Sequence, residues 1–281
     1  MMKFKTVIGI FLIYSTLQAQ EINVKLKSGL SGILYESTLG NGQLQAGGGL
    51  GIGYTYFFNK HWGISTGFEV NNNYNKFKID NETTINSYEI DDQTSAFEYR
   101  VTVKNYQEKQ HFVSFAIPVL AQFRTLLSAN LQWYLGFGYK VLFSGKQNIK
   151  ASADELQMSG YYPDSDLLID NLPAHGFGKV TNWQDETSTS LNTIFLVSAE
   201  TGVTIKLKEN LQLYTGIYAD YGPSDFVKNN PNSNIVTYNS NGITNSQANG
   251  VAGNRKIVQD TKYLSAGIQL KLGFSLKKVK P

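Results

Sequence analysis

Residues 131–143 read LQWYLGFGYKVLF. In an extended chain, Leu131, Trp133, Leu135, Phe137, Tyr139, Val141 and Phe143 share one side, and Gln132, Gly136, Gly138 and Lys140 share the other. A core behind the large apolar side would make this a strand of a soluble sandwich or barrel. The same side turned outward requires lipid as its solvent.

The two-residue period recurs along the chain, and no comparable period of 3.6 residues appears. LQAGGGLGIGYTYFF sets Leu44, Leu50, Ile52, Tyr54 and Tyr56 against Gln45 and the glycines. HWGISTGFEV sets Trp62, Ile64, Phe68 and Val70 against Ser65 and Glu69. FVSFAIPVLAQFR sets Val113, Phe115, Ile117, Val119 and Phe123 against Ser114, Gln122 and Arg124. IFLVSAETGVTIKL, LQLYTGIYADY and KYLSAGIQLKLGF repeat the scheme, and INVKLKSGLSGILY is a weaker instance. With the opening stretch, these make eight candidate strands.

The connections alternate in length. Asn59–Lys60, Thr125–Asn130 and Lys208–Asn210 are short, whereas roughly Lys76–Gln110, Gly145–Thr189 and Gly222–Asp260 are long. Tight turns at one end and long polar loops at the other mark an outer-membrane barrel. The expected fold is therefore all-β: a closed antiparallel eight-stranded transmembrane β-barrel with long extracellular loops and both termini in the periplasm. Because about 9 to 11 residues per strand cross a membrane, the upper halves of strands such as Trp62 to Lys78 are expected to stand clear of lipid.

The direction of the apolar face follows from volume. An eight-stranded barrel has an interior just wide enough for side chains to fill it. Trp62, Phe68, Phe115, Trp133, Phe137, Phe195 and Phe274 would overfill that space. The opposite assignment would put Glu69, Lys140, Glu200 and Asp220 in lipid, at about 2 to 4 kcal/mol for a lysine at the midplane. Closure follows as well, because an open sheet edge in lipid leaves backbone groups unpaired at several kcal/mol each.

The opening MMKFKTVIGIFLIYSTLQAQ has the charged, apolar and small-residue order of a secretory signal, so residues 1–19 are expected to be the signal and 20–281 the barrel domain. Its apolar stretch is too short to span a bilayer. The chain has no cysteine, which excludes lipidation at a mature cysteine, disulfides and thiolate metal sites. Without Lys3 and Lys5, 23 basic residues face 22 acidic ones, a balance that gives no support to nucleic-acid binding.

Charges on the small-residue face are the first candidate site. Glu69, Lys140 and Glu200 fall at similar heights, Asp220 lies higher, and Arg124, Lys206 and Lys271 lie near the base. A structural charge network sealing a narrow lumen is the expectation, since buried charges require partners and eight strands leave no aqueous channel. An ion or proton path is the alternative. Tyr56, Phe58, Trp62, Phe123, Trp133 and Phe274 are expected to form an aromatic girdle at the periplasmic interface, and Tyr139, Phe143, Tyr221 and Tyr263 an outer one.

The remaining motifs carry less. YYPDSDLLIDNLPAHGFG holds Asp164, Asp166, Asp170 and His175, but lacks the ligand order of a calcium loop or a zinc site. A solvated surface loop is the expectation there. The Gly47–Gly53 run has no helix after it to cradle a phosphate, so strand glycines in a tight lumen explain it better. The Asn-, Ser- and Gly-rich stretch after Gly222 is expected to be a mobile surface loop and the chief contact surface.

The alternation, the turns and the ending YLSAGIQLKLGFSLKK together resemble the eight-stranded outer-membrane barrels of the OmpA/OmpX-like kind and, more closely, the PorT-like group. FVSFAIPVLAQFR with Pro118, followed by LQWYLGFGYKVLF, looks like the central hairpin of that group. The resemblance implies a non-catalytic outer-membrane protein and admits an accessory role in protein secretion. The expected partners are outer-membrane lipid and a protein at the extracellular loops or periplasmic rim, with no cofactor. A barrel enzyme acting on lipid or peptide and a small-solute channel are the alternatives.

Overall fold

The computed structural model describes residues 20–79, 81–230 and 234–276, so the expected signal segment 1–19 lies outside the described residues. The strands are β1 (Gln20–Ser37), β2 (Asn41–Phe57), β3 (Trp62–Ile79), β4 (Thr83–Ile90), β5 (Ala96–Lys104), β6 (Tyr106–Ser128) and β7 (Leu131–Ser144), followed by β8 (Lys146–Tyr162), β9 (Leu167–Ile169), β10 (Gly178–Ser190), β11 (Ile194–Lys208), β12 (Leu211–Gly222) and β13 (Val258–Ser275). All pair antiparallel in one 13-stranded sheet. Within it, β1-β2-β3-β6-β7-β11-β12-β13 form a ring, closed by the pairing of β13 with β1.

The eight segments expected from alternation are these eight ring strands. The other five strands occupy what the sequence reading takes for loops. β8 carries small Ala151 and Ala153 at inward positions, and β4 and β10 are mostly polar, so their period-two contrast is weak.

Along the ring the large apolar side chains point outward. On β3 the outward large apolar residues run from Trp62 to Val70, with the hydroxyl-bearing Tyr74 beyond them, and on β6 from half-buried Phe123 to exposed Val113. Past that level the outward positions turn polar, with Asn72 and Lys76 on β3 and Lys109 on β6. The apolar band thus covers about the 9 to 11 residues that a membrane-crossing strand requires.

Small residues let the ring curl tightly. Gly29 of β1 faces Gly267 of β13, and a Cβ at Gly267 would lie 2.1 Å from the Ser28 carbonyl oxygen. Pro118, which has no N–H to donate, sits where the β3–β6 ladder lacks rungs between Thr66↔Val119 and Glu69↔Ala116.

Beyond the apolar band the sheet continues as a head. β5 pairs with β4 and β8, β8 pairs with β10, and upper β6 bridges β3 and β8. The head has its own apolar core, including Phe77, Phe97, Tyr99, Val101, Leu156 and Met158. Ile235, Val236, Val251 and Ile257, from the stretch expected to be a mobile surface loop, are fully buried in it. Phe226 and Val227 of the same stretch pack lower, against Phe112, Leu142 and Tyr263. Most of this segment is therefore an inserted plug rather than a solvated loop. Its few apolar residues are irregularly spaced, so no period announces their burial.

Candidate functional site

Seven charged side chains meet in the middle of the ring. The Lys140 ammonium lies 3.0 Å from Glu69 Oε2 and 3.0 Å from Asp220 Oδ1. Lys27 donates to Asp220 at 2.7 Å and Lys25 to Glu69 at 2.7 Å. Lys271 pairs with Glu200, which also accepts from Gln269 at 3.0 Å. Lys25 lies 3.7 Å from Glu200 and so joins the two halves. All seven are nearly solvent-free, and Ser198 supplies a further hydrogen bond to Asp220 at 2.6 Å.

The strand geometry explains this convergence. Each residue holds an inward position of the alternation, and the eight strands bring those positions to similar heights. Glu21, nearer the turns, accepts the Tyr214 hydroxyl at 2.8 Å. Counting it, four lysines face four carboxylates at this level of the ring.

Two of the expected network residues stand elsewhere. Lys206 is exposed, because it lies past the last rung between β7 and β11, Leu131↔Ile205, and emerges at the rim. Arg124 is half-buried at the turn end, with its guanidinium 3.6 Å from the Phe57 ring centroid, outside the ion cluster. Lys25 and Lys27 were missed by the sequence reading. The alternation of Ile22, Val24 and Leu26 with Asn23, Lys25 and Lys27 carried the signal.

The aromatic candidates Tyr56, Phe58, Trp62, Phe123, Trp133 and Phe274 all lie at the turn end and are half-buried or exposed. Trp62 and Phe123 rings are 4.9 Å apart, Phe123 and Trp133 6.0 Å. Tyr139, Phe143 and Tyr221 face outward, whereas Tyr263 points inward and donates to Asn73 at 3.0 Å. Its place on β13 is out of phase with Leu264 and Ile268, which explains the difference.

Above the ion cluster the interior remains filled. Asn73 donates to Ser114 at 3.0 Å, and the apolar layer around Phe226 lies beside them. Higher still, Glu108 is fully buried and accepts from Tyr106 at 2.6 Å, Gln110 at 2.7 Å and the Val251 amide at 2.8 Å. Burial pushes the Glu108 carboxyl up, although these three donors work against it. Asp185 accepts the Ala248 amide at 2.6 Å, so two carboxylates of the wall hold the plug by its backbone.

Asp164, Asp166, Asp170 and His175 are exposed at the far tip of the head, where Tyr161 donates to Asp166 at 2.9 Å. Among the described residues no group of three or more His, Asp or Glu side chains gathers as a metal would require.

A family model described as "Outer membrane protein beta-barrel domain" matches residues 18–228. Among solved structures, the chain is similar to Ail, the attachment invasion locus protein of Yersinia pestis, crystallised in complex with the heparin analogue sucrose octasulfate. That match has 10% identity and a TM-score of 0.34, and covers 92% of this chain and 100% of Ail. Neisserial surface protein A matches with 13% identity and a TM-score of 0.27, over 90% of this chain and 95% of that one. No curated protein sequence matches the chain.

Proposed function

Since the chain belongs to the outer membrane protein beta-barrel domain family, we propose that it is a non-catalytic surface-binding protein of the bacterial outer membrane, whose head projects outside the cell and whose termini face the periplasm. The ring serves as an anchor. The head is the working part.

The observation that carries this reading is the contrast between the two halves. Among the described residues, the interior of the ring is occupied by paired charges and then by the plug, which favours an anchor over a solute channel. The head, by comparison, is a folded extension with its own core and a broad outer surface. Elements held on a rigid scaffold are where binding concentrates. Building such a structure beyond the lipid has no use for an anchor alone.

Two experiments on the full chain test this. The chain lacks cysteine, so Tyr88→Cys at the tip and Lys60→Cys at a turn can each be labelled on intact cells with a membrane-impermeant maleimide. The first is expected to react and the second only after permeabilisation. The reverse pattern overturns the orientation. Crosslinking on intact cells followed by pull-down is then expected to capture a partner outside the cell; a stoichiometric periplasmic secretion component would instead support the accessory role.

A further inference from the structure

At the tip of the head, between the β4–β5 turn and the segment that follows β8, lies a cleft of about 360 Å³. That volume is at the small end of ligand sites, enough for one long side chain. Its walls include the half-buried rings of Tyr162 and Tyr238, with buried Phe177 behind them. Phe97 fixes both tyrosines, stacking on Tyr162 at 5.2 Å and meeting Tyr238 edge-on at 4.9 Å. Asp91 and Asp92 also line the cleft, which has no lysine or arginine among its described lining residues. The Asp91 carboxylate is held by the Ser95 and Gln93 amides, each at 2.9 Å, and by Tyr162 at 3.0 Å. Asp92 is exposed.

Around the opening, apolar groups lie open to water. Leu167 is 48% exposed and Leu172 40%, and both line the cleft. These sit far from the apolar band of the ring, so lipid does not cover them. Exposed Asp166 and Asp170 flank the Leu167–Ile169 stretch in sequence. Faces of aromatic rings attract ammonium and guanidinium groups, and desolvated contacts strengthen the attraction. Carboxylates beside such rings favour the same charge.

We propose that this cleft receives a lysine or arginine side chain from an extended segment of a partner protein, with Tyr162 and Tyr238 against the cation, Asp92 as its counter-charge, and Leu167 and Leu172 covered by apolar neighbours in that segment. The inference rests on the surface-binding role of the head and names the chemistry of its partner. A small free amine would fill the cleft but leave the apolar rim in water. A partner segment satisfies both.

The test uses the full chain in lipid nanodiscs, with empty nanodiscs as control. The probes are a fluorescein-labelled pentapeptide with a central arginine flanked by valine and isoleucine, the same peptide with citrulline, and arginine amide. Saturable binding of the arginine peptide, weakened by salt and roughly tenfold weaker for citrulline, is the expected result. Asp92→Lys abolishes it; this side chain is exposed, so the substitution leaves the aromatic packing in place. Leu167→Ser weakens the peptide and leaves arginine amide unchanged. Equal binding of citrulline and arginine peptides, or indifference to Asp92→Lys, overturns the proposal. So does arginine amide binding as tightly as the peptide. If the peptides fail while crosslinking still captures an external partner, the cleft assignment falls and the surface-binding role stands.

Discussion

Lys140 and Glu69, 71 positions apart in the chain, meet at 3.0 Å inside the ring, with Lys25 and Lys27 bound to the same carboxylate. One acid therefore serves three cations that have no water to fall back on. Buried ion pairs add little over an apolar core of equal volume, but breaking one leaves a charge uncompensated.

Glu69→Ala is accordingly expected to cost about 3 to 5 kcal/mol. The readout is the urea midpoint of the detergent-folded protein, followed by the mobility difference between folded and unfolded forms on gels. Adding Lys140→Met to Glu69→Ala restores part of the loss. A single variant as stable as the parent would refute the shared-acceptor role.

Planar bilayers containing the purified protein are expected to show no steady conductance, because paired side chains and the plug fill the ring. A reproducible open channel of constant amplitude would contradict the sealed interior.

The plug carries a prediction of its own. Phe226 is fully buried, 5.5 Å from Phe112 and 5.6 Å from Tyr263 between ring centroids. Phe226→Ala is expected to destabilise by about 3 to 5 kcal/mol and to expose the stretch between Lys228 and Lys256 to trypsin while the ring persists. Equal protease resistance in parent and variant would rule out the plug as packed here.

Glu108 gives a pH signature. Its folded carboxyl holds the proton to higher pH than the 4.5 of the free side chain. Between those values the folded state binds more protons than the unfolded one, so stability falls as pH rises through the window, by at most about 1.4 kcal/mol per pH unit. Glu108→Gln is expected to flatten that part of the melting profile. An unchanged slope would show that Glu108 does not titrate there.

The ring was written in the order of its residues. Alternation along Leu131–Phe143 and its counterparts, together with the volume limit of eight strands, implies that large groups face outward and small or charged ones inward. Which charges would meet was only partly readable: Lys140, Glu69, Glu200, Asp220 and Lys271 converge, and Lys25 and Lys27 join them from a strand whose alternation was weaker. Lys206, in phase with the inward set, escapes because inward phase does not ensure that a wall continues beside it.

The head belongs to the folded chain alone. Its inner residues include the small Ala151 and Ala153 on β8 and are irregularly spaced between Gly222 and Val258, so they become a core only when segments distant in sequence pack together. Local periodicity reports which side of a strand is apolar. It cannot report which side chains from remote segments will share one interior, since that depends on contacts that do not exist until the chain has closed.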